Sequence, residues 1–191
     1  MKIDVRFANI SQKKEAEEFS KRFKAISDFR YTWNRWKNWQ NGKMPIVAVD
    51  LEADSRIIGL HAATFSTRTM YTNSYYQAVD PEYQGLRIGG SMVDYLISYG
   101  FSTSKEKARQ TGKTMYRLKM KTPEGSPGHA FWSGFGLKPF GIKDGVLLWD
   151  EDISYVASVT GLIEWMKMRH AHNPIPRKVL VKHIENGVVL L

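Results

Sequence analysis

The stretch that most constrains this chain runs from Ala78 to Asp94, AVDPEYQGLRIGGSMVD. An alternating segment at 71–79 (YTNSYYQAV) reads as a strand and stops at Asp80-Pro81, where the proline removes a ladder donor. A glycine-containing loop at 84–90, QGLRIGG, leads straight into a long helix carrying Met92, Val93, Leu96, Ile97 and Tyr99. The helix is expected to fray past Gly100 and to finish before Thr111-Gly112. The loop amides and the orphan N–H groups of the helix start make an anion cradle. Gly85, Gly89 and Gly90 permit close approach of a ligand, and Arg87 adds a charge. These residues point to a phosphate or pyrophosphate seat, with a plain strand-to-helix turn as the structural alternative.

The rest of the chain sets this turn in an α/β order. Residues 2–8 alternate, with Ile3, Val5 and Phe7 on one face, and predict a half-buried strand. Ser11 precedes an amphipathic helix over 11–28, with Phe19, Phe23 and Ile26 at helical spacing. A second helix, 31–40, carries Trp33, Trp36 and Trp39 and ends at Asn41-Gly42. Strands at 45–52 and 56–66 are joined by a turn at Asp54-Ser55. A strand at 114–121 is followed by a turn-rich loop, a short helix at 127–135, and strands at 137–142 and 145–150 joined at Asp144-Gly145. Residues 153–170 predict another amphipathic helix, Asn173 to Pro176 a stop, and 177–191 a strand or docking tail. The order is β-α-α-β-β-β-α-β-α-β-β plus a C-terminal helical extension. The expected organisation is a domain over 1–150 and an extension over 151–191 that packs on it or makes a dimer.

Composition narrows the chemistry. The 191 residues contain no cysteine, which excludes disulfides, thiolate metal sites and a cysteine acyl-enzyme. The formal net charge of +9 favours polyanionic partners: nucleic acid, an acidic membrane surface or a phosphorylated cofactor. The first residues, MKIDVRFANISQKK, hold no apolar signal core, and no window reaches the roughly 18 apolar residues of a membrane span. A soluble, cytoplasmic protein with no membrane partner is expected. His170 and His172 sit two residues apart with no third ligand evident, so no metal is expected.

VDPEYQGLRIGGSMVDYL resembles the acyl-CoA-binding motif of the GNAT N-acetyltransferase superfamily, Gln/Arg-x-x-Gly-x-Gly/Ala. Gln84, Gly89 and Gly90 fit it, and the middle glycine falls on Arg87. A second family landmark, a short helix ending in Gly-aromatic, resembles HAFWSGFGLKPFG at 129–141. There the usual tyrosine falls on Trp132, and the closing Gly-Phe becomes Gly136-Leu137. The element order matches the family over roughly residues 2–150.

The resemblance implies a GNAT-like mixed central sheet and an acetyl-CoA-dependent N-acyltransferase, in which an amine attacks the thioester directly. Acetyl-CoA would be the cosubstrate, seated on Ala78, Val79, Gln84, Gly85, Leu86, Arg87, Ile88, Gly89, Gly90 and Ser91. A backbone N–H near Ala78 or Val79 would polarise the thioester carbonyl. Candidates for the general base are Asp80, Glu52, His61 and Tyr76; His61, alone on a strand, reads more readily as a structural residue. The family commonly protonates the leaving thiolate with the tyrosine that is Trp132 here, and indole N–H is not a usable acid. Replacement acids are Tyr116, Ser126, His129 and Ser133, with His129 preferred because it leads the short helix beside the expected path of CoA.

Two basic stretches remain. Residues 21–43 interleave Lys21, Arg22, Lys24, Arg30, Arg35, Lys37 and Lys43 with aromatics; the stretch reads as an acceptor groove or as a helix packed on the sheet with a solvated basic face. Residues 105–121 hold seven more bases, some expected at the CoA phosphates. The acceptor amine is left open among small molecules, proteins and nucleic acid, and the assembly between monomer and homodimer. The competing reading is a catalytically silent GNAT-fold domain that binds a partner such as nucleic acid through its basic face.

Overall fold

The computed structural model describes residues 2–23, 45–66, 71–111, 117–152 and 164. The second helix expected at 31–40, Tyr116, the helix expected at 153–170 apart from residue 164, His170 and His172, and the strand or tail expected at 177–191 lie outside these residues. The described elements are β1 (Ile3–Phe7), α1 (Lys13–Arg22), β2 (Ile46–Asp50), β3 (Arg56–Ser66), β4 (Tyr71–Val79), α2 (Ile88–Thr111), β5 (Arg117–Pro123), α3 (Pro127–Gly134), β6 (Gly141–Lys143) and β7 (Val146–Asp152). The strands form one mixed sheet in the order β1-β2-β3-β4-β5-β7-β6. Among the described strands, only β4 and β5 run parallel; the helix α2 supplies the crossover that such a pair requires. The α/β class and its mixed central sheet are as expected.

Two helical layers cover the sheet. On one face, Ile88, Met92, Val93, Leu96 and Ile97 of α2 pack with Ala48 and Ile58 from the strands and with Trp132 and Phe135. Fully burying side chains of this size contributes about 1.5–3 kcal/mol each. The helix sits close: a Cβ added at Gly59 of β3 would lie 3.1 Å from Ile88 and 3.2 Å from Met92. On the other face, Ala16 and Phe19 of α1 pack on Val47, Val49, Ile57, Leu60, Ala62 and Tyr76.

Several boundaries differ from expectation; the helix expected over 11–28 closes at Arg22, and Phe23 leaves the helical conformation at φ −102° and ψ 53°. A 3-10 turn, Ile10–Gln12, precedes α1, and the Gln12 side chain accepts from the Asn9 amide at 3.1 Å. The helix α2 runs through Gly100 without a break to Thr111. The strand expected at 137–142 is only Gly141–Lys143. Leu137 instead completes the cap of α3: its amide donates to Trp132 O at 3.1 Å while Gly136, at φ 81°, donates to Ser133 O at 2.9 Å. Pro139 then has no N–H to offer a ladder.

One irregularity creates the site. The β3–β4 register steps from Ala62↔Tyr76 to Ala63↔Ser74, so Tyr75 is an extra residue, a bulge in β4. The parallel β4–β5 ladder runs from Tyr71↔Arg117 to Ser74↔Met120 and stops there. Beyond it β4 stays on β3 as far as Val79↔Gly59, and β5 stays on β7 as far as Pro123↔Val146. The two inner edges therefore part, and a wedge opens in the middle of the sheet.

Candidate functional site

A cleft of about 760 Å³ occupies this wedge. Its walls are β4 from Ser74 to Val79, the loop and first turn of α2, the end of β5, and α3. Asp80 N–H donates to Ile58 O at 2.8 Å, so strand alternation turns the Ala78 amide to β3 and the Val79 and Gln77 amides toward the cleft. Of the two residues expected to offer a backbone donor, only Val79 turns its amide to the cleft, and it does so at the cradle end of β4 rather than at the apex of the wedge.

The turn at the head of the cleft gathers left-handed backbone and helix-start amides. Asp80 caps a 3-10 turn, Pro81–Tyr83, accepting from Glu82 N and pairing with Arg56 at 3.1 Å. That is a structural duty rather than that of a base. Gly85 and Arg87 both have positive φ, 81° and 64°. The middle-glycine position of the motif thus requires left-handed backbone, and arginine adopts it there at a cost of about 1–2 kcal/mol. Ile88, Gly89 and Gly90 open α2, where amides have no intrahelical acceptor. The Arg87 guanidinium is partly desolvated, which lowers its pKa without discharging it.

Of the residues expected to seat the cofactor, Ala78, Val79, Gln84, Gly85, Arg87, Ile88, Gly89 and Gly90 line the cleft. Leu86 and Ser91 do not. Leu86 is exposed, and Ser91 is fully buried with its hydroxyl donated to Arg87 O at 3.2 Å. Gln77, absent from the expected set, donates from Nε2 to Gly89 O at 2.7 Å and ties the helix start to β4. Only the strand register, which puts Gln77 beside the glycine turn, could have revealed it.

The expected proton-transfer residues fare differently. Tyr76 lines the cleft but is buried; its hydroxyl donates to Phe23 O at 3.0 Å, and burial pushes its pKa up to about 12. Ser126 also lines the cleft, yet its hydroxyl donates to Pro123 O at 2.6 Å and accepts from His129 N as the cap of α3. His129 is not in the cleft wall. Its Nδ1 accepts from the Gly125 amide at 3.1 Å and its ring lies 6.1 Å from that of Trp149. Ser133 is exposed outside the wall, and Glu52 is exposed near the β2–β3 turn. Trp132 is in the wall and buried, edge-on to Phe131 with centroids 5.0 Å apart. Tyr83 is held by its hydroxyl bond to Asp50 at 3.0 Å. Among the described residues, no carboxylate or imidazole lines the cleft.

His61 is fully buried behind the wall, with Nε2 2.8 Å from Ser74 Oγ. Burial pushes its pKa down to about 3, so it is neutral near pH 7. Two of the bases expected around the CoA phosphates are engaged elsewhere: Arg117 and Lys119 pair with Asp150 at 2.8 and 3.2 Å. Lys121 does reach the cleft wall.

No protein-family model matches the sequence, and no curated protein matches it. Solved structures do. A GNAT-family acetyltransferase from Staphylococcus aureus Mu50 superposes with a TM-score of 0.54 at 17% identity, covering 80% of this chain and 99% of that one. The PaiA N-acetyltransferase of Thermoplasma acidophilum, solved with coenzyme A, gives 0.55 at 15% identity, with 80% and 99% covered. The ribosomal-protein-S18-alanine N-acetyltransferase of Escherichia coli gives 0.53 at 13%, with 80% and 94% covered. The fold is therefore that of the GNAT N-acetyltransferases.

Proposed function

We propose that this protein is an acyl-CoA-dependent N-acyltransferase that moves an acetyl group from acetyl-CoA directly to an amine. The observation that carries this reading is the conjunction of an anion cradle at 85–90 with an unpaired strand edge, both on one cleft. The pyrophosphate sits on the amides of Gly85 to Gly90 beside Arg87. The pantetheine arm lies along β4 and takes the place of the missing strand neighbour, with the Val79 and Gln77 backbone as its partners. The amine and thioester are brought together in the wedge, and positioning supplies much of the acceleration. With no carboxylate or imidazole in the described wall, the enzyme acts on the neutral amine, and solvent takes the proton and later protonates the thiolate.

Calorimetric titration with acetyl-CoA tests this. The wild-type protein is expected to bind, and Gly89→Glu to lose binding while keeping its circular dichroism. A Cβ at Gly89 would stand 2.8 Å from Gln77 Nε2 and 3.1 Å from the Phe131 ring, so the new side chain invades the cradle. No wild-type binding at millimolar acetyl-CoA, or unchanged binding by the variant, overturns the reading. The lack of a carboxylate or imidazole among the described wall residues also favours a second reading, a silent GNAT-fold domain that binds a partner. It predicts acetyl-CoA binding or none, but no release of free thiol with any amine, peptide, DNA or RNA acceptor.

A further inference from the structure

The strongest unused feature of the fold is the pair His61–Ser74 at the apex of the wedge. Ser74 holds the last rung before β4 and β5 part, opposite Met120, and it lines the cleft. From Val79, beside the cradle, it lies five residues down β4 but only four rungs along β3 because of the bulge at Tyr75, about 14 Å. An arm that starts at the cradle and follows β4 thus ends its run toward Ser74. Behind it, His61 Nε2 is 2.8 Å from Ser74 Oγ, and His61 Nδ1 has no partner among the described residues.

A neutral imidazole carries one N–H. If the proton were on Nδ1, a fully buried donor would be left without an acceptor, and orphaned buried donors are rarer than orphaned acceptors and cost about 1–3 kcal/mol. The proton therefore belongs on Nε2, where it is donated to Ser74 Oγ. The serine oxygen is then an acceptor toward His61, and its own O–H must be directed elsewhere. The open side of Ser74 is the cleft.

Resting on the acyl-CoA reading above, we infer that Ser74 is a catalytic hydrogen-bond donor to the thioester carbonyl oxygen, oriented by His61 as a positioning residue. Such a donor stabilises the oxyanion that forms when the amine adds, because it is already aimed before charge develops. The hydroxyl stays a hydroxyl throughout; no acyl group is transferred to it. Polarisation of the carbonyl by Ser74 also distinguishes an acyl-CoA from free CoA, since only the former has an oxygen to receive the bond.

Isotope-edited infrared spectroscopy of carbonyl-labelled acetyl-CoA bound to the full chain reads this bond without any acceptor. The wild-type complex is expected to show the carbonyl stretch below its value in solution. Ser74→Ala should move the band back toward that value with the affinity for CoA changed less than about threefold, because CoA has no carbonyl at this point. Ser74→Thr, which keeps the hydroxyl, should retain the shift and shows that loss in the alanine variant is not general disruption. Nitrogen-15 shifts of the His61 ring should report a protonated Nε2. The same band position in wild type and Ser74→Ala, both loaded, overturns the inference and leaves the acyl-CoA reading standing. So does a protonated Nδ1, or a covalent acetyl adduct on the protein. Failure of the wild-type chain to bind acetyl-CoA overturns both.

Discussion

At the residue scale, Arg87 shows how a motif position can be kept by backbone rather than by side chain. Its φ of 64° belongs to the region that favours glycine, and the family pattern has glycine there. Arginine tolerates the strain and brings a charge to the cleft wall, where the acyl-CoA reading puts the phosphates. Stability and binding should separate in Arg87→Gly. Relief of the left-handed strain, about 1–2 kcal/mol, is offset by the larger unfolded-state entropy of glycine, about 0.4–1 kcal/mol, so the variant should be more stable by roughly 0.5–1 kcal/mol. Its affinity for acetyl-CoA should fall about tenfold, the loss of about one charge-assisted hydrogen bond. Urea denaturation and calorimetry on the same preparation check the two halves. Unchanged affinity would place the guanidinium outside the phosphate seat.

At the element scale, the turns were legible where a local rule suffices. Asp54-Ser55 reads as a hairpin from composition, and both residues have positive φ, 51° and 58°, with Arg56 N–H closing on Ala53 O at 2.9 Å. These are the two central residues of a tight turn that closes the five-residue connection 51–55 between Asp50 and Arg56, and glycine is favoured where φ is positive. Ser55→Gly should therefore stabilise the protein by about 0.5–1 kcal/mol, read as a higher urea midpoint at unchanged slope. The helix α2 and the glycine loop were legible for the same reason: periodicity and glycine spacing are local. The bulge at Tyr75 was not. It is a property of register between two strands, and Ser74, His61 and Gln77 acquire their neighbours only through that register. His129 misled in the opposite way. It stands at the head of the right helix, but a helix has sides, and the wall takes Gly128, Ala130 and Phe131 while His129 is tied back to Gly125.

At the scale of the whole molecule, the formal charge of +9 and the buried His61 both bear on acid stability, and they can be told apart. As pH falls, carboxylates discharge and the chain becomes more positive, so self-repulsion grows; that effect is spread over the surface and is screened within about 8–10 Å at ordinary salt. His61 acts through a different route. Its folded pKa is depressed to about 3 by desolvation, whereas an unfolded histidine titrates near 6.5. Between those values the unfolded chain binds a proton that the folded chain does not. Stability is therefore lost as pH falls through 6.5 toward 3, with a slope of up to about 1.4 kcal/mol per pH unit from this group alone. A surface charge effect shrinks at high salt, and a buried imidazole does not respond to it in this way. Denaturant unfolding of wild type and His61→Gln at pH 7 and 4.5, in low and high salt, separates the two. The wild-type protein should keep a pH-dependent loss in high salt that the glutamine variant lacks. If both lose stability equally, the imidazole is reached by solvent, and the closed wall behind Ser74 is not the state the protein holds in solution.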